Sequence, residues 1–131
     1  MGIRITITRI HKPASKSINE ELQWLGSSLG LFNLRDKDKS CFRIFIELLK
    51  DAKKNTSSSS DDLADKLQLT RGTVIHHLHK LTESGIVVQD KEGYHLRVNN
   101  LSRLIDEIEQ DINEACKELR QIANEIDKKM Q

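Results

Sequence analysis

The stretch Ser60–Arg97, SDDLADKLQLTRGTVIHHLHKLTESGIVVQDKEGYHLR, decides the fold. It holds two short helical patterns split by a tight polar break, then two β-rich runs around a glycine turn. In the first pattern Leu63, Ala64 and Leu67 share one stripe, and Asp61 and Asp62 suit the positive N-terminal end of a helix. Leu69-Thr70 breaks that pattern. Thr70 reads as an N-cap, because its hydroxyl accepts a backbone N–H that the first helical turn leaves without a partner. The helix it opens, over about 70–84, carries Val74, Leu78 and Leu81 on one face. Gly72, Thr73, His76, His79 and Lys80 lie opposite. An inner apolar stripe with an outer face of hydrogen-bonding side chains suits a DNA major groove. Glu83-Ser84-Gly85 ends the helix, glycine being the residue that tolerates a left-handed cap. Ile86-Val87-Val88 and Tyr94-His95-Leu96-Arg97-Val98 read as strands around the turn Asp90-Lys91-Glu92-Gly93.

This segment resembles the winged helix-turn-helix of ArsR-type and MarR-type transcriptional regulators. The resemblance rests on Leu63-Ala64, Leu67, Leu69-Thr70, Thr73-Val74, His77-Leu78, Leu81, Gly85-Ile86-Val87, and Gly93-Tyr94 with Leu96. It implies a homodimeric regulator of double-stranded DNA, with helix 70–84 in the major groove and the wing, 90–97, on phosphate or the minor groove. By motif position, the resemblance assigns DNA contact to Arg71, Thr73, His76 and Lys80, with His77 beside them at the edge of the packed stripe. Thr70 caps and touches phosphate, and Gly72 lets the backbone approach closely. In the wing, Lys91 and Arg97 meet phosphate or the minor groove, and Tyr94 supports the turn. Winged helices also serve as protein-docking modules, so an interaction module assembled through a coiled coil stands as the alternative.

The fold class expected is mainly α with a small β-wing. An N-terminal strand and helix (1–35) precede the winged domain (36–98), and a long coiled-coil-like helix (99–131) follows. Within 131 residues that is one domain of ordinary size with extensions. Formal net charge is only +1. Its distribution says more: residues 1–100 hold 16 Lys and Arg against 12 Asp and Glu, whereas 101–131 hold 5 against 8. The basic excess sits with the winged segment, and dimerisation doubles it.

Outside that segment, Ile3, Ile5 and Ile7 alternate with Arg4, Thr6 and Thr8, which predicts a β-strand over 3–10. No hairpin partner lies close by. The strand therefore needs the wing sheet, a second copy of the chain, or mobility. Arg4, Arg9, Lys12 and Lys16 suit either contact with phosphates or protection of a strand edge. Ser17 and Glu20 have capping-box spacing ahead of a helix carrying Ile18, Leu22, Leu25 and Leu29, with Trp24 beside the stripe as packing. Asn33–Lys39 is a charged connection. Ser40–Lys54 reads as a strongly apolar, central helix, and Asn55–Ser60, NTSSSS, as a loop whose serines help cap the next helix.

The tail is the second strong signal. Leu101, Ile105, Ile108, Ile112, Ala115, Leu119, Ile122 and Ile126 recur at alternating steps of four and three. A helix this long seldom stands alone in water, so the seam Leu101, Ile105, Ile108, Ile112, Leu119, Ile122 and Ile126 is expected to form a dimer interface. Leu104, Cys116, Ala123 and Met130 widen the stripe. The flanking rows offer no Lys or Arg for cross-strand ion pairs. Both features favour a broad interface, an antiparallel pair or a bundle including helix 17–30 of either subunit.

Cys41 and Cys116 lie far apart in helical patterns and read as reduced thiols. His76 and His79 share a helix face at metal-compatible spacing, but two further ligands are lacking, and so is the Cys pair that the resemblance to ArsR-type metal sensors would require. No metal or other cofactor is expected. Hydrolase, metalloprotease and dinucleotide fingerprints are absent from the sequence, and an enzyme is not expected. Nor is there a run long enough for a membrane span or a signal-peptide core, so a cytoplasmic protein without membrane association is expected.

Overall fold

Among the described residues five helices and one hairpin follow each other as α1 (Ile18–Ser28), α2 (Ser40–Lys54), α3 (Ser60–Leu67), α4 (Arg71–Glu83), β1 (Val87–Asp90), β2 (Gly93–Leu96) and α5 (Leu101–Lys129). The computed structural model describes residues 2–14, 16–32 and 36–131. Of the charged connection read at Asn33–Lys39, the first three residues lie outside this set, as do Met1 and Ser15 of the basic N-terminal stretch.

α2 is the hub, because its apolar residues cover enough of the circumference to be packed from several sides. Ile44, Phe45 and Leu48 are completely buried, and the helix contacts α3, α4 and β2. Leu63 and Leu67 close the core from α3, Val74, Leu78 and Leu81 from α4, and Val87 and Leu96 from the hairpin. β1 and β2 pair antiparallel in the register Val87↔Leu96 to Asp90↔Gly93, which leaves Lys91 and Glu92 at the tip. Ser58 adds a single bridge to Tyr94 on the other edge of β2. Gly93 is required there. Its φ is +136°, and a Cβ would sit 2.6 Å from the Ser58 carbonyl oxygen.

Local chemistry fixes the helix starts. Ser59 accepts the Asp62 N–H at 3.0 Å while the Asp62 carboxylate accepts the Ser59 N–H at 3.1 Å, a complete capping box for α3. Ser58 donates its hydroxyl to the buried Asp51 carboxylate at 2.6 Å, and Thr56 donates to the other oxygen at 3.2 Å. The serine-rich loop is thus tied to α2 rather than free. Lys39 caps α2 in a left-handed conformation without a side-chain bond, and Asp36 accepts the Cys41 N–H instead.

Two regions depart from their sequence pattern. Residues 3–10 form no β-ladder. They run extended from the end of α4 to α1, held by the Arg4 N–H on the Glu83 carbonyl, the Thr8 N–H on the Ser28 carbonyl, and the Trp24 indole N–H on the Ile10 carbonyl. Alternation reports that a segment has two unlike faces. It does not supply a free sheet edge, and this segment lies over helices. α5 departs differently. Leu104 and Ile108 are buried in the chain's own core, and Leu101 and Ile112 pack partly against it. From Asn113 onward every residue is exposed. The last five turns therefore project over roughly 25 Å with Leu119, Ile122, Ile126 and Met130 in solvent.

Candidate nucleic-acid interface

Thr70 opens α4 as its residue type requires: its hydroxyl accepts the Thr73 N–H at 3.1 Å and donates to the Thr73 hydroxyl at 2.8 Å. The inward stripe of α4 is Val74, His77, Leu78 and Leu81. The opposite face carries Arg71, Gly72, Ile75, His76 and His79, all exposed, flanked by the half-buried Thr73 and Lys80. Nothing lies within 4 Å of where a Gly72 Cβ would stand, so the backbone there is open to close approach. Arg71 makes an exposed ion pair with Asp61 across the turn, and His79 with Glu83 on the next turn. Both partners are solvated, so a phosphate can displace them at little cost.

His77 does not belong to this outward face. It is only 8% exposed, because position 77 shares the inner stripe with Val74, Leu78 and Leu81. Its Nε2 stands 3.8 Å from Asp36, and its Nδ1 is buried without a hydrogen-bond partner among the described residues. Burial lowers its pKa, and the neighbouring His76 and Lys80 act the same way against the opposing pull of Asp36. Burial pushes the Asp36 carboxyl up, but the N–H groups of Ser40 and Cys41 outweigh it and keep the pKa low. Cys41, buried on α2, has its thiol pushed up to about 11 by burial. It is an inert core group.

In the wing, Lys91 is exposed at the tip and Tyr94 is half-buried against the Ser58 bridge. Arg97 is committed elsewhere. Both of its terminal nitrogens reach the Asp111 carboxylate on α5, and Glu107 lies 3.8 Å from its Nε. Its pairing locks the wing to the long helix instead of leaving a free cation for DNA. His95 braces the turn through Nε2 on the Asp90 carboxylate at 2.7 Å and Nδ1 on the Leu96 carbonyl at 3.0 Å. Both partners are acceptors, which suits the doubly protonated ring. Burial works against that charge, but the Leu96 and Asp90 bonds prevail and raise the pKa.

One exposed residue of the α4 face escaped the sequence reading, Ile75, and His79, read on that face, was assigned no DNA contact. The signal for Ile75 was available: it completes the 72, 75/76, 79 row directly opposite the 74, 77/78, 81 row. Ile75, 40% exposed, is an apolar side chain of the kind that meets a thymine methyl. Among the described residues no group of His, Cys, Asp and Glu is arranged to hold a metal ion. No helix there is long and apolar enough to cross a membrane.

A helix-turn-helix with an exposed second helix and a hairpin wing is the architecture of a winged helix-turn-helix DNA-binding domain. Residues 46–88 match the family described as "Bacterial regulatory protein, arsR family". Over those residues, about a third of its length, the chain is similar to the helix-turn-helix of ArsR-type regulators, which supports a DNA-binding role in transcriptional regulation. No curated protein matches the chain. No solved structure does either.

Proposed function

We propose that the protein is a cytoplasmic, non-enzymatic regulator that binds specific duplex sites as a homodimer. α4 lies in the major groove and the tip of the wing on phosphate. The observation that carries this reading is the split of α4: its inner row is used up by the core, and Arg71, Gly72, Ile75 and His76 are left uncovered on the other side. Arg71 sits in the first turn, where reach to a base edge or phosphate is easiest. Thr73 and Lys80 flank the row, Thr70 presents its hydroxyl beside Arg71, and Lys91 extends the contact through the wing. Pairing through α5 supplies the second α4. The support is the projecting helix, whose apolar row no described residue of the same chain covers. The groove of about 530 Å³ at its base adds Ile7, Leu25, Ile105 and Ile112 to that surface. Ile108 is buried in the chain's own core and Leu101 packs against it at the root of the helix, so the interface we assign runs through Ile105, Leu119, Ile122 and Ile126, with the partly packed Ile112 at its base.

The test is a fluorescence-anisotropy titration with duplex genomic fragments across a salt series. Affinity should fall steeply with salt, and Arg71→Ala/Lys80→Ala should weaken it and flatten the salt slope by about two charges. Unchanged affinity in that variant removes the groove assignment. The net charge of +1 favours one competitor, docking of the same face on a protein. A partner captured without DNA, together with no mobility shift, would support it.

A further inference from the structure

We infer that the groove between the N-terminal segment, α1 and the start of α5 is a binding site for a hydrophobic monocarboxylate, a fatty-acid-like anion. The groove measures about 590 Å³. That falls within the range of small-molecule sites, roughly 300–1,000 Å³. Its walls are apolar: Ile18, Leu22, Trp24 and Leu25 from α1, Leu49 from α2 and Leu101 from α5. The bond from the Trp24 indole to the Ile10 carbonyl pins the N-terminal segment alongside and so builds the outer wall.

Charge complementarity selects the occupant. Lys12, Lys16 and Lys53 stand on the rim with Glu21 as the one acid. All three lysines are exposed, and none forms an ion pair among the described residues. Lysine stems lie along apolar surface while the ammonium groups stay at the water boundary. An anion with a hydrocarbon body satisfies both parts, whereas a polyphosphate would leave the apolar walls uncovered and a neutral hydrocarbon would leave the cations unused. The groove touches α1, α2 and the first residue of α5, so an occupant contacts both the core helices and the root of the projecting helix. A coupling of that occupancy to DNA binding rests on the function proposed above. The binding itself does not.

Trp24 is the only tryptophan, so its emission reports the groove directly. Decanoate, titrated below its micelle concentration into the full chain, should give a saturable change with one site per chain. Decanol and decyltrimethylammonium should bind about tenfold more weakly. The variant Lys12→Gln/Lys16→Gln/Lys53→Gln, all at exposed positions, should lose about tenfold for decanoate, keep its response to decanol, and keep its melting temperature. Four results overturn the inference: no saturable change up to millimolar decanoate, equal response to all three amphiphiles, no effect of the lysine changes, or a response only to anionic vesicles. A stable dimer in which decanoate leaves Trp24 unaffected also overturns it, in favour of a second copy covering the groove. Saturable decanoate binding by protein that binds no duplex would uphold the groove and count against the DNA reading alone.

Discussion

Replacing Leu119, Ile122 and Ile126 together by alanine should separate the dimer without unfolding the chain. In the single chain these side chains are 69%, 56% and 49% exposed, so about half or more of each remains to be buried by a partner. Complete burial of such a side chain is worth roughly 1.5–3 kcal/mol, which leaves about 1 kcal/mol for each of the six copies in a dimer. The total, about 6 kcal/mol, weakens the dimer by roughly four orders of magnitude. Stability of the single chain should not fall, because alanine is a better helix former than isoleucine and no intrachain packing is lost. Sedimentation equilibrium reads the association and circular dichroism melts read the fold. The intact chain should melt at a temperature that rises with protein concentration, and the variant should not. A variant that dimerises as tightly as the intact chain would refute the assignment of the exposed row, and so would an intact chain that stays monomeric at tens of micromolar (a range where about 7 kcal/mol of binding would already show).

Other outcomes follow from the same geometry. His77 has a folded pKa below its unfolded value of about 6.5, so the stability tied to its neutral form is complete above that value and is lost as pH falls through the folded pKa. Urea denaturation between pH 7 and 5 should show that loss, and His77→Gln should flatten it. His95 is shifted the other way, so its contribution is complete below about 6.5 and disappears as pH rises through the raised pKa. His95→Gln should therefore lower stability at acid pH, where the contribution is present, leave it unchanged at alkaline pH, and remove the decline between the two. Gly93→Ala should cost about 2 kcal/mol or more in the same assay, because φ of +136° and the Ser58 carbonyl both oppose a Cβ. Gly72→Ala meets no obstacle and should leave stability equal or up to about 1 kcal/mol higher, while weakening DNA binding through loss of close backbone approach.

Where sequence and structure agree, the residues involved carry local rules. Thr70 caps because of its hydroxyl, α2 spans Ser40–Lys54 because its apolar residues encircle it, and Gly93 sits where the turn needs a residue without a Cβ. Where they part, the deciding fact is what lies opposite in space. His77 reads as a DNA contact at the edge of the packed stripe, and the core of the fold takes it inside with Val74, Leu78 and Leu81. Arg97 reads as a free wing cation because Asp111, fourteen residues on, is not a local neighbour. Ile108 and Ile122 hold equivalent places in one repeat, yet the first faces the chain's own core and the second faces water. A heptad pattern specifies that a row is to be covered and leaves open by what.

The most direct measurement is guanine methylation protection on a duplex fragment bound by the intact chain. The major-groove edge it probes is the surface that paired α4 helices would cover. Two protected clusters on one face of the duplex, centred roughly 34 Å apart, are expected. Both should vanish with Arg71→Ala/His76→Ala, and the Leu119, Ile122 and Ile126 variant should lose the paired pattern. A single cluster for the intact chain, or no major-groove protection on fragments that it binds, would contradict the placement of α4 and its partner.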